Sequence, residues 1–315
     1  MRYALDPAIA RFAAAMVDQA PGLPMPARGD WQGLRQFVNA MVGQAQDDAS
    51  RFDQVVIEDV ALVAEDGANL SARLYRKNGQ RPRSAIVYAH GGGMIASCVA
   101  HYESMVAGYV DASDVTFLSV EYRLAPEVQG DAPARDLLAA VRWLIAQAER
   151  LDIDPNRIGI MGDSGGGGVA AGAAILARDA SIGLARQILI YPMLDDRNVV
   201  PDPQLAAFAG WTQDFNFTAW TALLGDARGG EQVPPSAAPA RLKRFEDLPP
   251  TYLEVGDLDI FRNETIDFAR GLAGAGVPLE LHVHPGCPHG FDRISAEIAV
   301  GQRAYADRVR NIRLV

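Results

Sequence analysis

Gly162-Asp163-Ser164-Gly165-Gly166 sets a serine between glycines, where the apolar run Ile158-Gly-Ile-Met gives way to the alanine-rich run Val169 to Ala177. Strand, tight turn and helix in that order lift a serine off the strand end. Glycine on either side lets the backbone turn sharply and leaves the hydroxyl uncovered. Such a serine becomes a nucleophile only with a base to take its proton, an acid to orient the base and donors for the oxyanion that forms. Three other stretches offer these. His90-Gly91-Gly92-Gly93 follows the strand-like Ala85-Ile-Val-Tyr-Ala, and consecutive glycines there leave main-chain N–H groups free to face a cavity. Thr251-Tyr-Leu-Glu-Val-Gly predicts a strand that delivers Asp257 and Asp259 at its C-terminal end. Leu279-Glu-Leu-His-Val-His predicts another, and the loop after it carries His289-Gly290-Phe291.

The chain order serine, aspartate, histidine is the one expected of an α/β-hydrolase. The remaining elements agree with it. A hairpin is predicted from Val55 to Val63 and Leu70 to Arg76, turning at Glu65-Asp66-Gly67. Strands and helices then alternate: Ala85 to Ala89, a helix near Tyr102 to Val110, Val115 to Glu121, a long helix from Pro133 to Arg150, the serine strand and its helix, then Gln187-Ile-Leu-Ile-Tyr. This alternation implies a parallel sheet covered on both faces. A last amphipathic helix is expected from Ile294 to Ile312.

Two segments fall outside the alternation. Asp6-Pro7 starts a helix that runs to Asp18, and Asp30 caps a second in which Trp31, Leu34, Phe37, Val38, Met41 and Val42 share one face. Asp195 to Phe245 interrupts the sheet pattern with Phe208, Trp211, Phe215, Phe217 and Trp220, and predicts a helix from Phe217 to Leu224 capped by Asn216. Together these segments read as a roof over the site.

With 49% hydrophobic and 22% charged residues in 315, the chain has ample material for a core. A net charge of −10 without a basic stripe argues against nucleic acid or an anionic membrane as partner. Asp6 and Arg11 interrupt the apolar N-terminal patch, and no uncharged apolar run is long enough for a span, so a cytoplasmic protein without a membrane span is expected. Two cysteines, Cys98 and Cys287, make no disulfide framework. His282, His284, His289 and Cys287 are not expected to hold zinc, because His282 and His284 alternate along a strand. Neither a metal nor a cofactor is expected.

His90-Gly-Gly-Gly, Glu121-Tyr-Arg-Leu-Ala-Pro-Glu127, Gly162-Asp-Ser-Gly-Gly, Asp259-Ile-Phe-Arg-Asn-Glu264 and Pro285-Gly-Cys-Pro-His-Gly-Phe291 resemble the signature blocks of the hormone-sensitive-lipase-like carboxylesterases. The resemblance covers nearly the whole chain. It implies an α/β-hydrolase fold with an eight-stranded, mostly parallel sheet, helices on both faces and a helical cap. The core would be residues 51–195 and 246–315, and the cap residues 1–50 and 196–245. It implies Ser164 as nucleophile, His289 as base and Asp259, rather than Asp257, as acid, with the N–H groups of Gly92, Gly93 and Gly165 as oxyanion donors. The implied activity is hydrolysis of short-to-medium acyl esters of small molecules, with Met94, Trp211 and Phe215 lining the substrate pocket. Amide or formamide hydrolysis and acyl transfer use the same three residues and stay open; a non-catalytic receptor would require one of them lost. A homodimer could form through the edge strand Leu279 to His284.

Met94 and Gly168 depart from the family pattern, and the run Gly165 to Gly168 is expected to loosen the first turn of its helix. Other residues carry structural expectations. His90 fixes its loop, Arg123 and Glu127 form a network below the site, Asp163 satisfies neighbouring donors and Glu264 supports the acid loop. His282 and His284 are solvated on their strand, and Cys287 is a small buried residue.

Overall fold

The computed structural model describes residues 3–17, 24–44, 51–79, 83–294 and 298–315. Helices α1 (Pro7–Val17) and α2 (Trp31–Gln44) precede the hairpin β1 (Val55–Val63) and β2 (Asn69–Lys77). β3 (Ala85–Ala89), α3 (Glu103–Ser113), β4 (Thr116–Val120), α4 (Ala132–Ala146) and α5 (Ala148–Leu151) follow. Then come β5 (Ile158–Asp163), α6 (Gly165–Asp179), β6 (Arg186–Ile190) and α7 (Gln213–Leu224). β7 (Thr251–Gly256), α8 (Arg262–Gly274), β8 (Leu279–His284) and α9 (Ala299–Ile312) complete the chain.

The eight strands form one sheet in the order β1-β2-β4-β3-β5-β6-β7-β8. β2 alone runs against its neighbours; every pairing from β4 to β8 is parallel. β3, β4, β5 and β7 are buried along their whole length, as strands covered on both faces must be, and the polar Glu254 and Asp163 within them are buried too. β8 ends the sheet and is only partly covered. Among the described residues no helix is long and apolar enough to cross a membrane.

Three expectations need correction. The long helix divides at Gln147, and Asp152 ends its second piece in the left-handed region at φ 56. The last helix starts at Ala299, because Phe291–Arg293 first makes a tight 3-10 turn; positions 295–297 lie outside the described residues. The helix of the 196–245 segment starts four residues early, at Gln213, because Thr212 accepts a hydrogen bond from the Phe215 amide. Asn216 lies inside that helix and takes the Trp211 indole N–H at 3.3 Å.

The glycine run lies inside α6, which begins at Gly165, and is buried there. Close packing explains it. A Cβ on Gly166 would lie 2.2 Å from the Ala89 carbonyl oxygen, one on Gly167 2.9 Å from Pro192, and one on Gly168 2.1 Å from the Met193 oxygen. The helix therefore sits hard against the ends of β3 and β6, and the helix-propensity cost of glycine is outweighed by contacts that no larger residue permits. Gly168→Ala is expected to destabilise the chain by about 1–3 kcal/mol, the usual range for overpacking. A urea midpoint equal to wild type would contradict this.

Candidate active site

Ser164 stands between β5 and α6 with φ 54 and ψ −122, a backbone conformation that an L-residue holds only under strain. Three main-chain bonds hold it there: its N–H donates to the Ile190 oxygen at 2.9 Å, and its own oxygen accepts from the Met193 amide at 2.9 Å and the Gly168 amide at 3.2 Å. The hydroxyl thus projects at the C-terminal end of the sheet, beside the first amides of a helix whose dipole favours negative charge.

The structure brings the two other predicted groups to it. Ser164 Oγ lies 2.9 Å from His289 Nε2, and His289 Nδ1 lies 2.7 Å from Asp259 Oδ2. Asp259 is buried, and its Oδ1 accepts from the Phe261 amide at 2.9 Å, which fixes the carboxylate plane. Asp257 is engaged elsewhere, accepting the Gly286 amide at 2.7 Å and so bracing the loop that leads to His289. The imidazole is held between the ring edges of Phe261 (centroids 5.0 Å apart, 88°) and Tyr191 (4.9 Å, 68°). Such an arrangement can pass a proton from Ser164 to His289 while Asp259 keeps the ring in one tautomer.

Gly92 and Gly93 take φ 118 and 63, and Gly165 packs so tightly on them that a Cβ there would lie 2.8 Å from the Gly93 nitrogen and 2.7 Å from the Met94 nitrogen. Among the described residues nothing accepts a hydrogen bond from the amides of Gly92, Gly93 or Gly165. Three unpaired N–H groups therefore lie within one small neighbourhood of Ser164. The Trp211 ring covers Gly93, where a Cβ would meet it at 2.5 Å, and lies 6.5 Å from the His289 ring. Phe215 packs 5.7 Å from Trp211 and 5.8 Å from Phe37 of α2. Met94 is buried at φ 64, its Cε against Gly168.

The supporting residues differ from the sequence reading in several places. Arg123 and Glu127 do not meet: Arg123 pairs with Asp136 and Asp66, and Glu127 with Arg35 of α2 through two bonds of 2.7 Å. Glu264 holds the loop after β6 rather than the acid loop, accepting the Leu194 and Asp195 amides at 2.6 and 3.2 Å and Asn198 Nδ2 at 2.8 Å. Burial pushes its carboxyl well above the ordinary range. His284 is buried beside Glu254, while His282 is half-buried and bonded to Glu280 at 2.6 Å. His90 donates from Nδ1 to the Gly91 carbonyl oxygen at 2.7 Å, within its own loop, and stacks on Tyr122. Asp163 accepts the Tyr88 hydroxyl. Cys287 is buried, and burial pushes its thiol up to about 12. Glu280, His282 and Asp307 gather closely enough for a metal, but Arg310 already bonds both carboxylates.

Sequence reasoning missed the network behind His289. Tyr191 donates to Asp292 Oδ1 at 3.1 Å, Arg308 bonds the other Asp292 oxygen, and Arg308 Nε bonds the buried Glu254 at 2.9 Å. Burial alone would raise the Glu254 carboxyl, yet Arg308, with His284 and Tyr252, holds it down to about 2. Tyr191 itself is strained, at φ 34.

A family model described as α/β-hydrolase fold matches residues 86–293. The chain belongs to the α/β-hydrolase fold family. This α/β-hydrolase is 29% identical over 283 residues to ethyl acetate hydrolase of Pseudomonas putida, a match covering 88% of this chain and 87% of that one. It is 32% identical over 222 residues to esterase LipI of Mycobacterium tuberculosis, covering 67% of each. Among solved structures, a bacterial heroin esterase superposes with a TM-score of 0.87 at 32% identity, over 98% of this chain and 97% of that one. The α/β-hydrolase falls in the hormone-sensitive-lipase-like branch and is a carboxylic ester hydrolase.

Proposed function

We propose that Ser164, His289 and Asp259 form the catalytic triad of a serine carboxylesterase acting on short-to-medium acyl esters. The observation that carries this is the continuous chain of contacts from Ser164 Oγ to His289 Nε2 at 2.9 Å and from His289 Nδ1 to Asp259 Oδ2 at 2.7 Å. His289 takes the Ser164 proton as the oxygen attacks the ester carbonyl, and the carbonyl oxygen becomes an oxyanion held by the amides of Gly92, Gly93 and Gly165. Collapse of the tetrahedral intermediate expels the alcohol, which receives the proton from His289. Water, activated by the same imidazole, then attacks the acyl-enzyme and releases the carboxylic acid.

Residues 1–50 and 196–245 form the cap in this reading, over a core of residues 51–195 and 246–315. α2 and α7 support it: Phe37 packs on Phe215, and Arg35 reaches down to the Ile95 and Ala125 oxygens at 2.5 and 2.6 Å. Trp211, fixed by Asn216 over Gly93, limits the room beside the oxyanion amides, with Phe215 behind it and Met94 closing the base. That suits a small acyl group, as does the name of the relative ethyl acetate hydrolase. The partly covered β8 edge is the pairing surface of a homodimer in the same reading, tested by light scattering of wild type against Leu281→Pro.

A panel of p-nitrophenyl esters from acetate to decanoate, run beside an aryl amide, tests the substrate class. Highest kcat/KM at four to eight carbons or fewer, with the amide at least a hundredfold slower, is expected; preference for decanoate or for the amide would overturn it. Asp259→Asn should lower kcat about 10⁴-fold with little change in KM, because the amide stabilises the wrong imidazole tautomer. A loss below tenfold would remove Asp259 from the triad.

A further inference from the structure

Between α3 and α9 lies a cavity of about 380 Å³ whose wall, among the described residues, includes Phe52, His101, Ser104, Met105, Arg293 and Tyr305. Ser164, His289, Asp259 and the glycines at 91 to 93 do not border it. Its volume falls within the range of about 300–1,000 Å³ common for small-ligand sites.

Two of its polar groups face it with hydrogen-bonding capacity to spare. The Arg293 guanidinium lies over the Tyr102 ring, 4.3 Å from the centroid, with the Tyr102 hydroxyl and the buried Asp163 carboxylate as its nearest electrostatic partners. Asp292 also borders the cavity, and each of its oxygens is already bonded, one by Tyr191 and the other by Arg308. Ser104 Oγ is buried and unpaired. A guanidinium carries five N–H donors in a planar fork, more than one hydroxyl takes up, and a planar carboxylate matches that fork. Burial lowers the pKa of His101, so that ring adds polarity rather than charge. Phe52 and Met105 supply apolar wall that a bare inorganic anion would leave unfilled. With a net charge of −10 the chain has no general attraction for anions, so any such binding is local to this site.

We infer that this cavity binds a carboxylate bearing a short apolar chain, with the carboxylate on Arg293 and Ser104 and the chain along Phe52 and Met105. Carboxylic acids are what an ester hydrolase releases, so the ligand class is that of its product. That link rests on the ester hydrolase activity, whereas binding itself does not. Arg293 belongs to the turn that follows His289, so filling the cavity adds contacts to the segment that carries the imidazole.

Calorimetric titration with hexanoate, hexanamide and inorganic phosphate tests this on the full chain, in wild type, Ser164→Ala, Arg293→Gln and Ser104→Leu. One hexanoate should bind wild type and Ser164→Ala alike, at least tenfold more weakly in Arg293→Gln and Ser104→Leu, and far better than hexanamide or phosphate. Ser104→Leu, which only fills the cavity, should keep ester turnover within twofold and so separates loss of this site from loss of fold. Hexanoate binding unchanged by Ser104→Leu, equal binding of hexanamide, binding of phosphate alone, or no binding would each overturn the assignment.

Discussion

Ser164→Ala should lower kcat on every ester substrate by a factor on the order of 10⁶ while the chain remains folded. The hydroxyl is the only group at this position that can form the acyl-enzyme, and oxyanion stabilisation without a nucleophile leaves only a small residual rate. Ser164→Gly separates catalysis from stability. It removes the same oxygen, yet glycine adopts φ 54 and ψ −122 without the steric cost an L-residue bears, so its melting midpoint should exceed that of both serine and alanine. Strain at the serine is thus expected to appear as stability gained when function is given up. Turnover within a hundredfold of wild type in either variant, measured against a purified blank, would remove Ser164 from the chemistry.

Arg308→Met should destabilise the fold by about 3–5 kcal/mol, the cost typical of leaving one partner of a buried ion pair alone. Glu254 is fully buried in the central part of β7, and the variant also strips Asp292 of its cation just behind His289. The effect depends on pH. In wild type the folded Glu254 pKa, about 2, lies below its ordinary value, so its stabilisation is fully present above the ordinary carboxylate pKa of about 4.3 and is lost as pH falls toward 2. Without Arg308, burial raises the folded pKa instead, and stability is then lost as pH rises. The gap between variant and wild type should be widest near neutrality and narrow in acid. Urea unfolding at pH 7.5 and pH 4.5 measures it, and a gap that widens in acid would contradict the assignment of Glu254 as an ionised buried partner.

The groups that meet at Ser164 were legible because each is announced locally. A glycine bend, a glycine run after an apolar strand and a histidine loop after another are short-range signals, and their order along the chain carries the topology. Position after β7 does not separate Asp257 from Asp259; the block Asp259-Ile-Phe-Arg-Asn-Glu264 does, and the fold turns Asp259 toward His289 and Asp257 toward the Gly286 amide. Arg308 and Glu254 lie 54 positions apart on different elements, and nothing near either residue signals the partner. The reason for the glycines from 165 to 168 is likewise not local. Helix propensity is a property of the segment, while the backbone of β3 and of the loop after β6, against which that segment packs, is supplied from elsewhere in the chain. Asn216 misled because Thr212, four residues earlier, is also a capping residue, and its hydroxyl takes the Phe215 amide.

Reaction with a 4-nitrophenyl alkylphosphonate tests the triad most directly, because the phosphonate mimics the tetrahedral intermediate and stays bound to the attacking oxygen. One nitrophenolate should be released per chain, the adduct should map by peptide mass spectrometry to Ser164, and labelling should fall at least a thousandfold in rate in His289→Ala. An adduct on any other residue, or ester hydrolysis that continues undiminished after full labelling, would contradict the assignment of Ser164 and His289.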